Sequence, residues 1–275
     1  MQLSSDTDVS NWSVGGTAQT PYTLRTFATK TCDLDIDFDQ TAQPYLVTQI
    51  LTACLSLDGE PVTHAEVWDW SLKKRLQALL QIAIATRGNE LVLQVRCLNQ
   101  QCRKRFELPL DLGRFEQMVD EHAFEFDLAG QCLNVRLPNG QDQRHWLHHQ
   151  NDSMASIAQR LVLFVDNEQP DESWHFPFDW LDEFGQILED RDELMSLRFN
   201  SNCPSCEQAL ETIVDLEAQL LTCLSYKQKT LLFDIHRLAL TYHWTESEIL
   251  TLSSQRRRYY LQQLNDQTHG GVVPT

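Results

Sequence analysis

Four cysteines in two closely spaced pairs have the residue type and spacing to bind one metal ion. The first pair is Cys97 and Cys102, a C-x4-C motif, and the second is Cys203 and Cys206, a C-x-x-C motif with Pro204 in its turn. A hairpin with such a pair at its tip presents two thiolates on one side. Two facing hairpins would offer four sulfurs, the ligand set that tetrahedral Zn²⁺ takes in closed structural sites.

The sequence around each pair follows the same order, which favours one shared site. An alternating, strand-like run precedes each pair (residues 90–96 and 193–199), and a second run after it ends in Asp-Leu (residues 103–112 and 209–216). Each pair is therefore predicted to occupy the turn of a β-hairpin. A Zn²⁺ shared by these four cysteines would join distant parts of the chain and contribute to folding.

Two other interpretations of the cysteines stay open. A C-x-x-C pair can be a redox dithiol, although that motif ordinarily begins a helix and here a strand follows. Two unrelated buried pairs would also fit, because free cysteine often packs as a small core residue. A closed four-thiolate site leaves no position for water or substrate. The zinc interpretation thus predicts a site for folding and not a reaction centre.

Composition restricts the class of protein. The 275 residues are 42% hydrophobic, which suffices for a real core, and carry a formal charge of −17. This charge argues against nucleic-acid binding, because a polyanion is repelled unless basic residues form a concentrated face. The short basic runs at 73–75, 103–105 and 256–258 fit a solvated face or an acidic partner better.

The same composition predicts a location in the cytoplasm. No apolar run reaches the length of a membrane span, and residues 1–6 do not resemble a signal peptide. Eight cysteines without an export signal favour a reducing compartment and metal binding over disulfides. The four cysteines outside the two pairs have apolar neighbours and are predicted to be core residues: Cys32, Cys54, Cys132 and Cys223.

Along the chain, the patterns predict five segments. A flexible leader (1–20) precedes N-terminal helices and the first cysteine hairpin (21–112). An inserted α/β segment (113–190) is followed by the second cysteine hairpin with the C-terminal helices (191–265) and by a frayed tail (266–275). The expected fold class is α+β, with two zinc-pinned, zinc-ribbon-like β-hairpins, flanking helices and a helical C-terminal tail.

Two polar runs are predicted to face solvent. Aspartates alternate with apolar residues over 31–40, which predicts an amphipathic strand with its aspartates in water. A Ca²⁺ loop does not fit there, because Phe38 and Pro44 stand where it needs Gly and Glu. A helix over 71–85 is expected to turn the basic run 73–75 mostly to solvent.

The C-terminal helices, at about residues 215–264, are predicted to carry a wide apolar face. That face runs from Leu216 to Leu240, and Trp244, Tyr259 and Tyr260 add large amphipathic side chains. Such residues are enriched at interface hot spots. The face either binds a partner or packs on the zinc-containing core.

No catalytic constellation is recognisable, so no enzyme activity is expected. The sequence contains no G-x-S-x-G, Walker, G-x-G-x-x-G or H-E-x-x-H motif. Three histidines lie close together, at His145, His148 and His149, without a cysteine or carboxylate in a recognised metal pattern. His236 and His243 are seven apart. Surface, core or partner-facing roles are favoured for all five.

Five blocks of sequence together resemble a known family. They are WSLKKRLQALL (70–80), the first cysteine pair (96–102), RLPNGQDQ (136–143), NCPSC (202–206) and a closing block that begins LLFDIHRLALTYHW (231–261). They resemble the zinc-knuckle baseplate proteins encoded beside contractile phage tails and phage-tail-like injection systems. Those proteins are similar to T4-type baseplate hub and hub-assembly proteins.

The likeness covers about residues 60–264 and implies a function. It implies a non-enzymatic structural or assembly component of a baseplate, with other baseplate, hub or tube proteins as partners. Assembly would take place in the cytoplasm, and the four cysteines would be Zn²⁺ ligands. The chain departs from the family in its first cysteine turn, which has four intervening residues and lacks Pro and Gly. It also has His243 where a Gly is expected before the Trp.

Two other classes of function compete with this one. A zinc-ribbon adaptor or regulator would bind nucleic acid or another protein, and a salt-sensitive DNA shift would support it. A metalloenzyme would use the group of His145, His148 and His149, and its activity would disappear when those histidines are replaced.

Overall fold

Small antiparallel sheets and the helices around them make the fold α+β, as the sequence predicts. The elements are taken from a computed structural model, in which residues 9–12, 22–115, 123–191 and 197–269 are described. Within these ranges, no helix combines the length and the apolar character needed to cross a membrane.

The described residues before the insertion form four α-helices and six strands. In chain order they are β1 (Val9–Trp12), β2 (Tyr22–Arg25), α1 (Thr31–Leu34), α2 (Gln43–Cys54), β3 (Leu55–Leu57), β4 (Glu60–Pro61), α3 (His64–Asp69), α4 (Leu72–Arg87), β5 (Glu90–Arg96) and β6 (Arg105–Asp111). Strands β1 to β4 form one antiparallel sheet in sequential order, and β5 pairs with β6.

The second part contains the insertion, the second cysteine hairpin and the C-terminal helices. Its elements are β7 (Ala123–Leu128), β8 (Gln131–Arg136), α5 (Gly140–His148), α6 (Met154–Leu161), β9 (Val162–Val165), α7 (Leu181–Arg191), β10 (Leu197–Asn202), β11 (Ala209–Val214), α8 (Leu216–Tyr242), α9 (Glu246–Thr251) and α10 (Ser254–His269). Strands β7, β8 and β9 form a three-stranded sheet, and β10 pairs with β11.

The main core packs around the long helix α8. This helix buries its leucines against α2 and α4, in a cluster that also includes buried residues from the bases of both cysteine hairpins. Its inward positions recur at helical spacing and are Leu216, Leu220, Leu221, Leu224, Gln228, Leu231, Ile235 and Leu238. The face predicted from Leu216 to Leu240 is therefore mostly core, which confirms the packing alternative for these leucines.

The inserted segment has a hydrophobic cluster of its own. Its buried residues come from β7 to β9, α6, α7 and the loop before α7, and are Leu128, Leu133, Val135, Ala158, Leu161, Val162, Phe176 and Phe184. The insertion is tied to the start of α4 by two backbone bonds. Leu72 N–H donates to the Pro138 carbonyl at 2.9 Å, and Gly140 N–H donates to the Trp70 carbonyl at 3.1 Å.

The expectation that the basic run 73–75 faces solvent is wrong for two of its residues. Arg75 is fully buried and donates to the carbonyls of Val67 and Pro44, both at 2.8 Å. Its burial lowers the pKa of the guanidinium to about 10. Lys74 lies over the Trp70 ring, with Nζ 4.2 Å from the centroid. Helical spacing predicts apolar faces but does not reveal carbonyls brought by other elements.

The expectation of an amphipathic strand over residues 31–40 is also wrong. Thr31–Leu34 form one helical turn, and the Asp33 side chain is completely buried. The Arg25 guanidinium donates to both Asp33 oxygens, at 2.6 and 2.8 Å, and the backbone of Thr29 and Lys30 donates as well. From α8, the Gln228 amide donates to the Asp33 carbonyl. This residue is an anchor between the N-terminal part and α8.

Three smaller expectations have mixed outcomes. Of the four cysteines predicted to be core, Cys54 alone is buried, whereas Cys132 and Cys223 are half-buried and Cys32 is exposed. In the predicted leader the structure describes residues 9–12, which pair with β2; its other residues lie outside the described ranges. Helix α10 continues past the predicted boundary at 265, because the sequence has no helix-breaking residue before Gly270.

Loss of the Asp33 carboxylate should destabilise the fold strongly. We expect Asp33→Ala to lower the free energy of unfolding by about 3–5 kcal/mol, because it leaves the buried Arg25 charge uncompensated. The matched control is Asp39→Ala, which removes an exposed ion pair with Lys229 and should cost less than about 1 kcal/mol. Equilibrium urea denaturation with Zn²⁺ in excess measures both.

A double variant tests whether Asp33→Ala is destabilising because it leaves a buried charge unpaired or because it removes packing. Arg25→Met combined with Asp33→Leu removes both charges, so it should be more stable than Asp33→Ala alone. If Asp33→Ala unfolds at the same urea concentration as Asp39→Ala, the buried pair does not anchor the fold.

Candidate metal centre

The fold brings the four paired cysteines to one point. Their sulfur atoms all lie within 4.8 Å of one another, although Cys102 and Cys203 are 101 positions apart. The Sγ atoms of Cys97 and Cys206 are 3.6 Å apart, and those of Cys102 and Cys203 are 3.9 Å apart. Tetrahedral coordination with Zn–S bonds of about 2.3 Å places sulfurs about 3.8 Å apart. The donor set and its spacing fit a four-coordinate thiolate metal site.

The two cysteine hairpins position their sulfurs by the same backbone design. In each, the outgoing strand ends one residue before the first cysteine, at Arg96 and at Asn202. The N–H of each first cysteine donates to the carbonyl two residues after the second cysteine, at 2.9 Å in both hairpins. The repeated context predicted from the sequence is thus a repeated hydrogen-bond pattern.

A left-handed residue follows the second cysteine in each hairpin. Arg103 has φ of 48° and Glu207 has φ of 58°. This conformation turns the chain back toward the strand, and it favours glycine because a Cβ clashes there. The chain therefore carries local backbone strain at both turns.

The returning strands end in a second repeated feature. After β6, the Asp111 carboxylate accepts from the Gly113 N–H, and after β11 the Asp215 carboxylate accepts from the Ala218 N–H. The leucine after each aspartate is buried in the main core. This explains the repeated Asp-Leu in the sequence, because one residue caps the next element and the other anchors the hairpin.

The site is apolar on its inner side. Cys97 and Cys203 are 2% and 1% exposed and form a small hydrophobic cluster with Leu210. The Phe106 ring packs against this cluster. On the outer side, the Asn99 side-chain amide lies 3.8 Å from the exposed Cys206 sulfur, within hydrogen-bonding reach. Sequence reasoning did not identify Asn99 or Phe106, because neither position belongs to the cysteine spacing.

The four thiols are electrostatically unequal in the protein without metal. Backbone N–H groups, Ser205 foremost, lower the pKa of Cys203 to about 7. Burial raises the pKa of Cys97 to about 12. One thiolate thus forms readily, and binding of a divalent cation must displace the other protons.

The three clustered histidines do not form a metal site. His145 Nε2 lies 2.8 Å from Asp152 Oδ2, and its ring stacks on His149 with centroids 4.0 Å apart. His148 instead bonds the Tyr45 hydroxyl across the insertion boundary, at 3.1 Å. Among the described residues, the four cysteines are the one group of three or more such side chains with converging donor atoms.

Comparisons with known proteins identify no relative. No protein-family model matches the chain. No curated protein and no solved structure is significantly similar to it.

Removing two ligands should remove the metal and most of the stability. We expect purified protein to contain one Zn²⁺ per chain, and Cys203→Ser with Cys206→Ser to lose it. Structural zinc contributes about 10–16 kcal/mol in small domains, as much as the whole stability of many proteins. Metal analysis and urea denaturation, before and after chelation, measure both effects. Cys54→Ser is the control for a buried cysteine outside the site.

The pH dependence provides a second readout of the same site. Because Cys203 has a pKa of about 7, metal affinity should fall as the pH drops through that value. A chromophoric chelator in competition measures this. Full zinc content in the double serine variant, or an affinity independent of pH, would contradict the assignment of these ligands.

Glycine in the two left-handed turns should stabilise the protein. Relief of the left-handed clash is worth about 1–2 kcal/mol, and the added freedom of the unfolded chain costs about 0.5–1 kcal/mol. Arg103→Gly and Glu207→Gly should therefore each raise the free energy of unfolding by about 0.5–1 kcal/mol. Lys104→Gly, at a neighbouring position without positive φ, should lower it. A destabilised Arg103→Gly protein would argue that its side chain is needed at the turn.

Proposed function

We propose that this chain is a non-enzymatic structural or assembly protein of the baseplate of a contractile, phage-tail-like injection system. In this proposal its four-cysteine site holds a structural Zn²⁺ and makes the two hairpins a zinc ribbon. The observation that carries it is the approach of four sulfurs from two separate hairpins to near-tetrahedral spacing. A closed thiolate site holds shape and has no open position for catalysis, which suits a rigid part of an assembly.

Two of the sequence blocks that resemble the baseplate family contact each other in the fold. The start of the 70–80 block contacts the 136–143 block through the two backbone bonds of Leu72 and Gly140. A Cβ at Gly140 would lie 2.8 Å from the Trp68 carbonyl oxygen and from Arg75 Nη1. Glycine is therefore required by this close approach, so the two blocks depend on each other. The two blocks thus form one packed unit in this fold.

One departure from the family pattern has a structural explanation. His243 ends α8 in the left-handed conformation, with φ of 55°, and its N–H donates to the Ala239 carbonyl. This helix end favours glycine, the residue that the resemblance predicts at that position. The turn that glycine would form is retained in spite of the histidine.

The partner surface that we propose is the outward side of α8. Tyr226, Phe233 and Leu240 recur every seven residues and are 75%, 60% and 65% exposed. Residues seven apart lie on one face of a helix, so the three form an outer stripe opposite the buried leucines. Of the aromatic residues expected at an interface, Tyr259 is exposed, while Trp244 and Tyr260 pack together. Seven-residue spacing suits docking of another helix.

Charge indicates which helix fits the outer stripe. Residues 216–269 contain six basic and five acidic residues, whereas the whole chain has a charge of −17. Lys227, Lys229 and Arg237 lie beside the stripe together with one acidic residue, Asp234, and Lys229 is paired with Asp39. The Arg237 guanidinium lies 5.8 Å from the centroid of the Phe233 ring. A second copy of α8 would bring the same excess of basic residues to both sides of the contact. An acidic amphipathic helix of a neighbouring baseplate, hub or tube protein is complementary.

The alternative is a zinc-ribbon adaptor that binds nucleic acid. The observation in its favour is the tip of the first cysteine hairpin, where Arg96 and Arg105 are paired directly across the strands beside Arg103 and Lys104, all exposed. A zinc bound by four thiolates carries a charge of −2, which these cations offset without any ligand. A mobility shift of DNA or RNA that weakens steeply with salt would favour this alternative.

The outer stripe provides the test of the baseplate proposal. In a strain that produces contractile particles, the gene is deleted and complemented with Tyr226→Ala, Phe233→Ala and Leu240→Ala together. We expect this variant to fold and bind zinc but to give few complete particles by electron microscopy, because truncating aromatic anchors weakens docking by about 2 kcal/mol or more each. The matched control is Ile213→Ala, another exposed apolar residue.

Two outcomes would count against this function. Complete particles from the deletion strain without complementation would exclude a role in assembly. Normal particles with the triple variant would exclude the outer stripe as the partner surface. Truncation before Ser253 is a poorer test, because Leu261 and Leu264 of α10 are buried in the main core.

A further inference from the structure

An apolar groove lies between α6 and α7 of the inserted segment. Its volume is about 680 Å³. It opens between two helices that both contribute residues to the hydrophobic cluster of the inserted segment. The α6 wall presents Met154, Ile157 and Leu161, and the α7 wall presents Leu181 and Leu188. Both walls follow the spacing of one helical face, which is the shape that receives the apolar face of a third helix.

Two large apolar side chains stand at the mouth of the groove in contact with water. Met154 is 67% exposed, and Phe178, in the short 3-10 helix before α7, is 79% exposed. Exposed apolar residues beside a concave apolar surface mark binding sites. Methionine adapts its shape to different partners, which makes it frequent on surfaces that bind helices.

Gly185 is placed where a partner would approach. It lies in the middle of α7 and lines the groove, and a Cβ built on it has no neighbour within 4 Å. No packing within the described residues requires glycine there, and glycine in a helix interior is destabilising relative to alanine. The missing side chain leaves a gap in the groove wall through which another backbone can come close.

The rim of the groove determines the charge of its occupant. Asp179 and Asp182 line it, and neither forms an ion pair with a described residue. Residues 166–190 contain nine acidic residues and no lysine or arginine. A partner helix with basic residues beside its apolar face is therefore favoured over an acidic one.

A second copy of this chain does not supply such a helix in its folded state. The helices with the largest excess of basic over acidic residues are α4, which contains Lys73, Lys74, Arg75 and Arg87, and α10, which contains Arg256, Arg257 and Arg258. The apolar faces of both helices are already buried in the main core, through Leu76 and Leu79 of α4 and through Leu261 and Leu264 of α10. The occupant must then come from another protein.

We propose that the α6–α7 groove binds a basic amphipathic helix of a partner protein. The site is distinct from the four-cysteine site and from the outer stripe of α8. It binds a basic helix, whereas the outer stripe is proposed to bind an acidic one. The inserted segment is thus a second docking module, whose occupant differs in kind from that of α8. The proposal holds whether or not the chain belongs to a baseplate.

The test uses the full-length, zinc-loaded protein and two synthetic peptides. One is an amphipathic helix of lysine and leucine, and the other has glutamate in place of lysine. Calorimetric titration should detect the lysine peptide, with an affinity that falls as salt is added, and no binding of the glutamate peptide. Gly185→Leu fills the groove and should weaken binding about tenfold or more, as should Phe178→Ala.

Matched variants separate the groove from general attraction to an acidic protein. Tyr226→Ala, on the outer stripe, and Glu246→Gln, an exposed carboxylate on α9, should bind the lysine peptide as the unaltered protein does. Gly185→Ala should raise the thermal midpoint, since the glycine is not required by the fold.

Four results would overturn the proposal. They are absence of lysine-peptide binding, equal binding of the glutamate peptide, unchanged binding by both Gly185→Leu and Phe178→Ala, and a lowered thermal midpoint in Gly185→Ala. Concentration-dependent dimerisation that Gly185→Leu abolishes would show that a second copy occupies the groove. None of these results depends on zinc content or particle assembly, so failure here leaves the baseplate proposal standing.

Discussion

Four sulfur atoms held within 4.8 Å of one another are the constraint on which the arrangement of the two hairpins depends. As thiolates they repel each other, and as thiols two of them are buried without strong partners. A bound divalent cation would remove both problems, because it would compensate the charge and supply a bond to every sulfur. Since each hairpin base carries leucines of the main core, an ion bound at the tip would also restrict how the core closes around α8.

Buried charges provide the second set of constraints on this core. Arg75 binds carbonyls of α2 and α3, and Asp33 is bound by Arg25 and lies under α8. Such groups contribute little net stability when paired but are costly when a partner is lost. They therefore favour this arrangement of the helices over others, since helices placed differently would leave a buried charge unpaired. The N-terminal part, the insertion and α8 meet at these residues.

The acidic charge of the chain is distributed unevenly, and this gives its two apolar surfaces different characters. The outer stripe of α8 lies beside more basic than acidic residues of that helix, whereas the α6–α7 groove is lined by Asp179 and Asp182. Under the two docking proposals, partners of opposite charge would bind without competing, and each would be disfavoured at the site of the other. That arrangement suits a protein that joins different components in one assembly.

The sequence by itself determined which four cysteines come together, both hairpins, the α+β class and the helical C-terminal part. These features depend on local patterns, namely the spacing of cysteines, the alternation of strands and the periodicity of helices, which the chain carries wherever it folds. The exposure of single polar residues was decided by tertiary structure alone. Asp33 and Arg75 lie in sequence contexts typical of surface residues, yet they are buried because distant elements bring them partners. The α6–α7 groove likewise exists only after two helices pack, since its walls come from separate segments.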